Sequence, residues 1–461
     1  MQYFDLTMPL TRRSFLTSAL GTGLAASTLP NLLIAQVKRS SRPPRILLRG
    51  SWQSVNIGDI GHTPGALNLI ERHLPEAELT LWPTELGHGA QEFLQKAFPR
   101  LKIARGTVEA GKPTTPELAQ AWEDNDFMLH GSSAGFGARA HLAAWHRATG
   151  KPYGAFGVTF DPITNAGRNV EGSTLDVRRT QIQALPPTHL DPETRWIVDH
   201  ATFVFARETT TRDYLKTQGV RTAVLEYGPD TQLAMNLTDH ARGDAYRAAN
   251  GLEEGKFICV IPRLRYTPYY RINNTTRRPG DDKKDAINNR TTEGDHAKLR
   301  EMIVAYVRNT GNKVMACGEM TYQVQMAKDV LVDPLPDDVK RNVVWRDTYW
   351  MPDEAASIYS RAECVVSVEC HSPLISLHNG TPAFYVRQPT DTCKGQMYRD
   401  MGADDWIFEI DETNGPQLWS RLESIHRDPV KAKAKTKAIM AFVHAKQKRM
   451  VEALRVATAR V

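Results

Sequence analysis

His371 occupies a place where a side chain can move protons. It follows the apolar run Cys364–Val368 and a Glu369-Cys370 turn, and it opens a short segment ending at Asn379-Gly380, beyond which Ala383–Val386 reads as another strand. In such a strand–turn–helix–strand unit the imidazole stands at the carboxyl end of a parallel strand and at a helix N-terminus. Open α/β sheets collect ligands there, and backbone N–H groups attract anions. Imidazole titrates near neutral pH and can act as general acid or base; taken alone, the residue reads more readily as a polar turn bonded to a nearby carbonyl, and its companions reverse that. Arg207 closes the strand pattern Phe203–Ala206, and Arg263 and Arg265 follow Phe257–Ile261 in the same way. Guanidinium groups at strand ends offer bidentate forks for carboxylate or phosphate. Three at equivalent positions favour an anionic ligand over separate surface ion pairs.

Two further turns carry candidate chemistry. Asn56-Ile57-Gly58-Asp59 lies between the first strand and a helix. Asn and Gly permit an unusual turn there, and Asp59 either projects over the strand end or caps the next helix. Gly131-Ser132-Ser133-Ala134-Gly135 follows the strand Phe127–His130. It reads as a small-residue anion cradle at a helix N-terminus, or as G-x-S-x-G with Ser133 a hydrolase nucleophile. No HGGG-type oxyanion segment precedes it, and the strands after it divide between two sheets, which weighs against the hydrolase. Tyr266, Tyr269 and Tyr270 border a polar stretch and serve either to stack on sugar rings or to anchor it.

The elements that position these residues alternate short apolar runs with amphipathic segments, the pattern of βα units. Strands are expected at Ile46–Leu48, Glu78–Trp82, Phe127–His130, Pro152–Val158, Phe203–Ala206 and Thr222–Glu226. After a break over Leu237–Gly255, others are expected at Phe257–Ile261, Lys313–Ala316, Val343–Trp345, Cys364–Val368, Ala383–Val386 and Trp406–Glu409. Helices are expected over Pro64–Arg72, Ala138–Thr149 and Glu208–Gln218. The reading is α/β: two Rossmann-like domains facing a cleft, over 38–245 and 246–425, with a basic C-terminal helix over 426–461. Arg271–Asp295 is polar and without period, and reads as a lid or a partly disordered loop.

A chain of 461 residues is too long for one core, and its composition (hydrophobic 41%, charged 24%) is that of an ordinary globular protein. The net charge of +6 suits an anionic substrate. Lys431–Arg449 lacks interleaved aromatics, so it reads as a solvated helix and no nucleic-acid partner is expected. Cys259, Cys317, Cys364, Cys370 and Cys393 show no CxxC spacing; neither zinc nor a disulfide framework is indicated, and no metal or cofactor is expected. At the N-terminus, Thr11-Arg12-Arg13-Ser14-Phe15-Leu16 precedes an apolar run from Leu20 to Ala35. This reads as a twin-arginine leader within 1–37 rather than a membrane span, and implies periplasmic or secreted protein.

Over Arg45 to Asp411 the chain resembles the polysaccharide pyruvyl transferase family. The resemblance rests on Asn56-x-Gly58-Asp59, Asp126 through Gly135, and Ala206-Arg207-Glu208-x-x-Thr211-x-x-Tyr214-Leu215-x-x-x-Gly219-Val220. It continues through Gly228-Pro229-Asp230, Val260-Ile261-Pro262-Arg263, and His371 with Gly380-Thr381-Pro382. It implies a GT-B-like fold and transfer of an enolpyruvyl unit from phosphoenolpyruvate to two hydroxyls of a glycan. It further implies His371 as acid, Asp59 as base, and Arg207 and Arg263 as anion clamps; the strand-end and turn positions add Arg265, Asn56, Gly131, Ser132 and Ser133 as lining of the substrate site. One position departs: the family's Arg-x-His is here Glu369-Cys370-His371. A glutamate there repels an anionic donor unless it is protonated or paired. A Glu369/His371 pair also suits hydrolysis of a glycan or its ketal, and a non-catalytic glycan-binding descendant stays open beside it.

Overall fold

The computed structural model describes residues 42–163 and 171–459; the leader segment falls outside them. In chain order the first group of strands is β1 (Arg45–Gly50), β2 (Glu78–Pro83), β3 (Lys102–Ile103), β4 (Val108–Glu109), β5 (Lys112–Pro113), β6 (Phe127–His130), β7 (Tyr153–Val158), β8 (Phe203–Ala206) and β9 (Leu225–Tyr227). The second group is β10 (Phe257–Ile261), β11 (Lys313–Ala316), β12 (Val343–Trp345), β13 (Cys364–Ser367), β14 (Ala383–Arg387) and β15 (Ile407–Glu409). Apart from the small β4–β5 hairpin, they form a seven-stranded sheet in the order β3-β2-β1-β6-β7-β8-β9 and a six-stranded sheet in the order β12-β11-β10-β13-β14-β15. Every pairing in both large sheets is parallel. Buried β-branched and aromatic runs such as Phe257–Ile261 and Cys364–Ser367 make such strands, because helices cover both faces of a parallel sheet.

In each sheet the winding reverses at one place, between β1 and β6 in the first and between β10 and β13 in the second. Ligands bind at the carboxyl ends of strands flanking such a reversal. Asn56–Asp59 follows β1, Gly131–Gly135 follows β6, Arg263 follows β10 and His371 follows β13. The four segments named from sequence are therefore the four switch-point loops.

The halves are joined by main-chain bonds at this level. Ile57 N–H donates to the Glu319 carbonyl (3.0 Å) and Thr321 N–H to the Val55 carbonyl (3.0 Å). Ile57 itself packs into the core of the second sheet. The helix Pro429–Thr458 ties them again: Ile439, Met440 and Val443 pack on the second sheet's core, while Met450, Val451 and Leu454 pack on the first. Its lysines are displayed along the remaining face.

Two expectations are corrected. Arg271–Asp295 is no lid: after a short turn at Tyr269–Ile272, the segment enters the 30-residue helix Asp281–Thr310. Its buried face there includes Asn288, Asp295 and His296 beside Ile287 and Leu299, so polar residues at core positions erase the apolar period. The first helix starts at Ile57 rather than Pro64, and its cap is Asn56, whose side chain accepts from the N–H groups of Gly58 (2.6 Å) and Asp59 (3.3 Å). Asp59 stands in the first turn of that helix and does not cap it.

Candidate active site

His371 begins the helix His371–His378 and is 5% exposed. Its Nδ1 lies 3.3 Å from Oε1 of Glu319, and the other carboxylate oxygen of Glu319 accepts from Ser372 N–H (2.7 Å) and Ser372 Oγ–H (2.8 Å). Glu319 is fully buried in the loop after β11. Burial opposes its charge, but His371 and the Ser372 donors outweigh that and bring it below the usual carboxylate range. For His371 burial opposes the imidazolium, while the Cys370 sulfur and the Glu319 carboxylate hold it well above the usual histidine range. The ring rests on the helix beginning at Ile57: a Cβ on Gly58 would come within 2.4 Å of His371 Cβ and Nδ1. Only glycine permits this approach. Nε2 of His371 has no hydrogen-bond partner.

That helix also presents His62, one turn beyond Asp59 on the same face. The two imidazoles meet edge to face with centroids 4.9 Å apart. His62 is 1% exposed, and neither ring nitrogen makes an aligned hydrogen bond. Nε2 faces Asp230 at 3.3 Å, and Nδ1 lies 4.0 Å from Asp59. Asp230, after β9, is anchored by Arg207, whose Nη1 donates at 2.6 Å while its Nε donates to Thr159 Oγ1 at 2.8 Å. Burial would raise the Asp230 pKa, but His62 and then Arg207 hold the carboxyl well below its usual range. Two carboxylate-backed imidazoles, one from each half, thus converge on one point, with Asp59 beside them. Such a group can give and take protons.

A second cluster adjoins it. Arg263 donates to Asp391 (2.6 Å), and its Nε lies 3.2 Å from Glu369. Glu369 also accepts from Gln323 Nε2 at 2.7 Å. Lys394 Nζ lies 3.1 Å from Asp391, whose other oxygen accepts from Tyr385. Burial pushes Glu369 up to about 6 despite Arg263, with Glu319 adding to the rise. At neutral pH Glu369 is therefore mostly ionised and shares Arg263 with Asp391; only when it takes up a proton do Arg263 and Lys394 face Asp391 with one positive charge unmatched.

The structure separates other expected residues from this centre. Arg265 is bound by Asp295 (2.8 and 2.7 Å) and by Asp411, so its fork is filled. Arg207 is fully buried and acts on Asp230 instead of offering an open clamp. Asn56 is used up as a cap. Gly131–Gly135 opens no helix, because the next one begins at Arg139. Ser132 Oγ is locked between the Phe156 carbonyl (3.1 Å) and Thr231 N–H (3.0 Å), and Gly131 N–H donates to Arg49 (2.9 Å). Ser133 donates to the Gly135 carbonyl, and both nitrogens of His130 are occupied, by Gly131 and by Ala138. The nucleophile reading of Ser133 therefore lacks a base.

Sequence reading missed His62, Glu319, Asp391 and Lys394. Glu319 and Asp391 follow β11 and β14, so the strand-end rule that found His371 was available for both. His62 gave no signal, since a histidine in a helix next to Pro64 looks like any other.

The family model of polysaccharide pyruvyl transferase matches residues 56–388. The chain belongs to that family. It is a glycan-modifying transferase whose matched region begins at Asn56 and takes in both imidazoles, Glu319 and Glu369. No curated protein matches it significantly by sequence. Among solved structures it is similar to the S. aureus MnaA–UDP co-structure (10% identity, 91% of this chain and 98% of that one, TM-score 0.54). It is also similar to the UDP-GlcNAc 2-epimerase from Neisseria meningitidis bound to UDP-GlcNAc (11% identity, 89% and 99%, TM-score 0.52). These likenesses show the fold, two Rossmann-like halves of GT-B type. Among the described residues no helix is long and apolar enough to cross a membrane.

Proposed function

We propose that this pyruvyl transferase family member moves the enolpyruvyl group of phosphoenolpyruvate onto two hydroxyls of one sugar in a glycan, forming a pyruvate ketal. The observation that carries this reading is the meeting of His62 and His371 at the joined switch points, each ring backed by a buried carboxylate. The reaction has matching needs. One proton is added to the enol methylene, making it a methyl group, and C2 becomes an oxocarbenium centre. The first hydroxyl attacks C2 and loses its proton; the C2–O bond to phosphate breaks with its electron pair leaving on phosphate. The second hydroxyl closes the ring and loses its proton. In all, one proton enters and two leave, of which one goes with phosphate.

His371 is assigned as donor to the methylene through its unpartnered Nε2, with Glu319 holding Nδ1. Asp59 and His62 are assigned to receive the hydroxyl protons. Arg263 and Lys394 are assigned to the donor's carboxylate and phosphate, with Glu369 taking up a proton as the anionic donor binds. Phosphate release that requires both phosphoenolpyruvate and glycan, and is lost in His371→Ala, tests the assignment. One observation favours a second reading. Glu369 closes on Arg263 (3.2 Å), and hydrolysis of an existing ketal needs no phosphate site. Pyruvate release from a ketal-bearing glycan without donor distinguishes that reaction. On the strength of the leader motif, we place either reaction outside the cytoplasm; fractionation of cells producing the full chain checks this.

A further inference from the structure

We propose that Asp59, His62 and His371 form a binding site for a divalent transition-metal ion of the cobalt(II) or zinc(II) class. One nitrogen from each imidazole and one oxygen of Asp59 lie within 4.8 Å of one another. Both rings are more than nine-tenths buried, and the nitrogen on each that faces away from its carboxylate, Nδ1 of His62 and Nε2 of His371, has no hydrogen-bond partner. Buried polar nitrogens are normally satisfied, so this cluster is built for something that supplies the missing partner.

The surroundings fit a cation. Each imidazole has a buried carboxylate on its other side, Asp230 at 3.3 Å from Nε2 of His62 and Glu319 at 3.3 Å from Nδ1 of His371. Carboxylates so placed orient metal-binding histidines and raise their basicity. Around the two rings stand three acidic groups, Asp59, Asp230 and Glu319, against the single guanidinium of Arg207. That balance suits a dication. Two imidazoles with one carboxylate select first-row transition metals over magnesium or calcium, which take oxygen ligands. Asp59 and His62 belong to the first half of the fold and His371 to the second, so an ion here links the halves. An ion and a transferable proton on His371 exclude each other, so a filled site blocks proton donation. The site itself does not depend on the transfer reading, because binding is measured without substrate.

The test uses the full chain stripped with chelator and titrated with cobalt(II), followed by visible d–d absorption and by metal content after desalting. The expected result is one cobalt per chain with a nitrogen-ligand spectrum and a raised melting temperature, since ligands that bind only the folded state stabilise it. His62→Ala and Asp59→Asn each weaken binding by about tenfold or more. Asp59 is only partly buried and Asn56 caps the helix, so Asp59→Asn keeps the fold even where His62→Ala does not; metal-free melting curves verify this. Failure to retain cobalt, or wild-type affinity in either folded variant, overturns the assignment.

Discussion

Replacing Glu319 by glutamine probes the least exposed part of the site. The carboxylate accepts three contacts, from His371 Nδ1 at 3.3 Å and from Ser372 N and Oγ at 2.7 and 2.8 Å. With the amide oxygen kept on both Ser372 donors, the amide NH2 faces His371 Nδ1, which must give up its proton to accept from it, so the charge-assisted bond to the imidazolium is lost. Losing one charge-assisted bond in a buried site costs about 1.5–3 kcal/mol. Weakening of the other two brings the expected loss to about 3 kcal/mol, a large share of a typical stability of roughly 5–15 kcal/mol. The pH dependence follows from the two shifts. Glu319 lies below its ordinary value, so its contribution is present above the unfolded carboxylate range and lost as pH falls through the lowered folded value. His371 lies above its ordinary value, so its contribution is full below about pH 6.5 and lost as pH rises through the raised folded value. Between those limits the gap between wild type and Glu319→Gln is flat. Turnover is expected to fall roughly 100-fold, the lower end of what general acid catalysis supplies. Urea unfolding across pH gives the first quantity, and glycan-dependent phosphate release gives the second. A folded Glu319→Gln protein with wild-type turnover refutes the reasoning, because His371 would then need no partner to act.

Other substitutions follow from the same geometry. Gly58→Ala drives a methyl group to within 2.4 Å of His371, and overpacking of this kind costs about 1–3 kcal/mol; a lowered melting temperature with a loss of turnover is expected. Glu369→Gln removes a negative charge beside Arg263 and is expected to lower the KM for the phosphoenolpyruvate donor about tenfold, equivalent to ~1.4 kcal/mol, in initial-rate measurements. Glu208 is buried and pushed from 4.5 up to about 8, with Thr211 bonds only partly offsetting burial. The folded chain therefore holds that proton more tightly than the unfolded chain, and stability falls by on the order of 5 kcal/mol as pH rises through this window. Urea midpoints of Glu208→Gln should lack that decline; parallel profiles contradict it.

Much of the fold was legible because parallel strands buried on both faces are short apolar runs with clear ends. Phe257–Ile261 and Cys364–Ser367 were located within a residue for that reason. The long helix from Asp281 was missed because its inner face holds Asn288, Asp295 and His296, which only their tertiary partners make tolerable: Asp295 binds Arg265, and His296 accepts from Arg263 N–H. The site was half legible. His371 stood out because a strand, a turn and a glycine-closed helix frame it. Arg207 and Arg263 were found by the same rule, but sequence carries no sign that Asp230, Asp391 and Glu369 lie against them. His62 became visible only when two segments 309 residues apart were brought together, as His62 and His371 are in space.

The most direct test of the central claim is product analysis of the purified chain with phosphoenolpyruvate and a glycan pool. Transfer predicts one phosphate released for each pyruvate ketal formed, visible as a new ketal methyl resonance, with neither product appearing when donor or glycan is omitted. No phosphate release with any glycan, together with free pyruvate liberated from ketal-bearing glycan in the absence of donor, contradicts it.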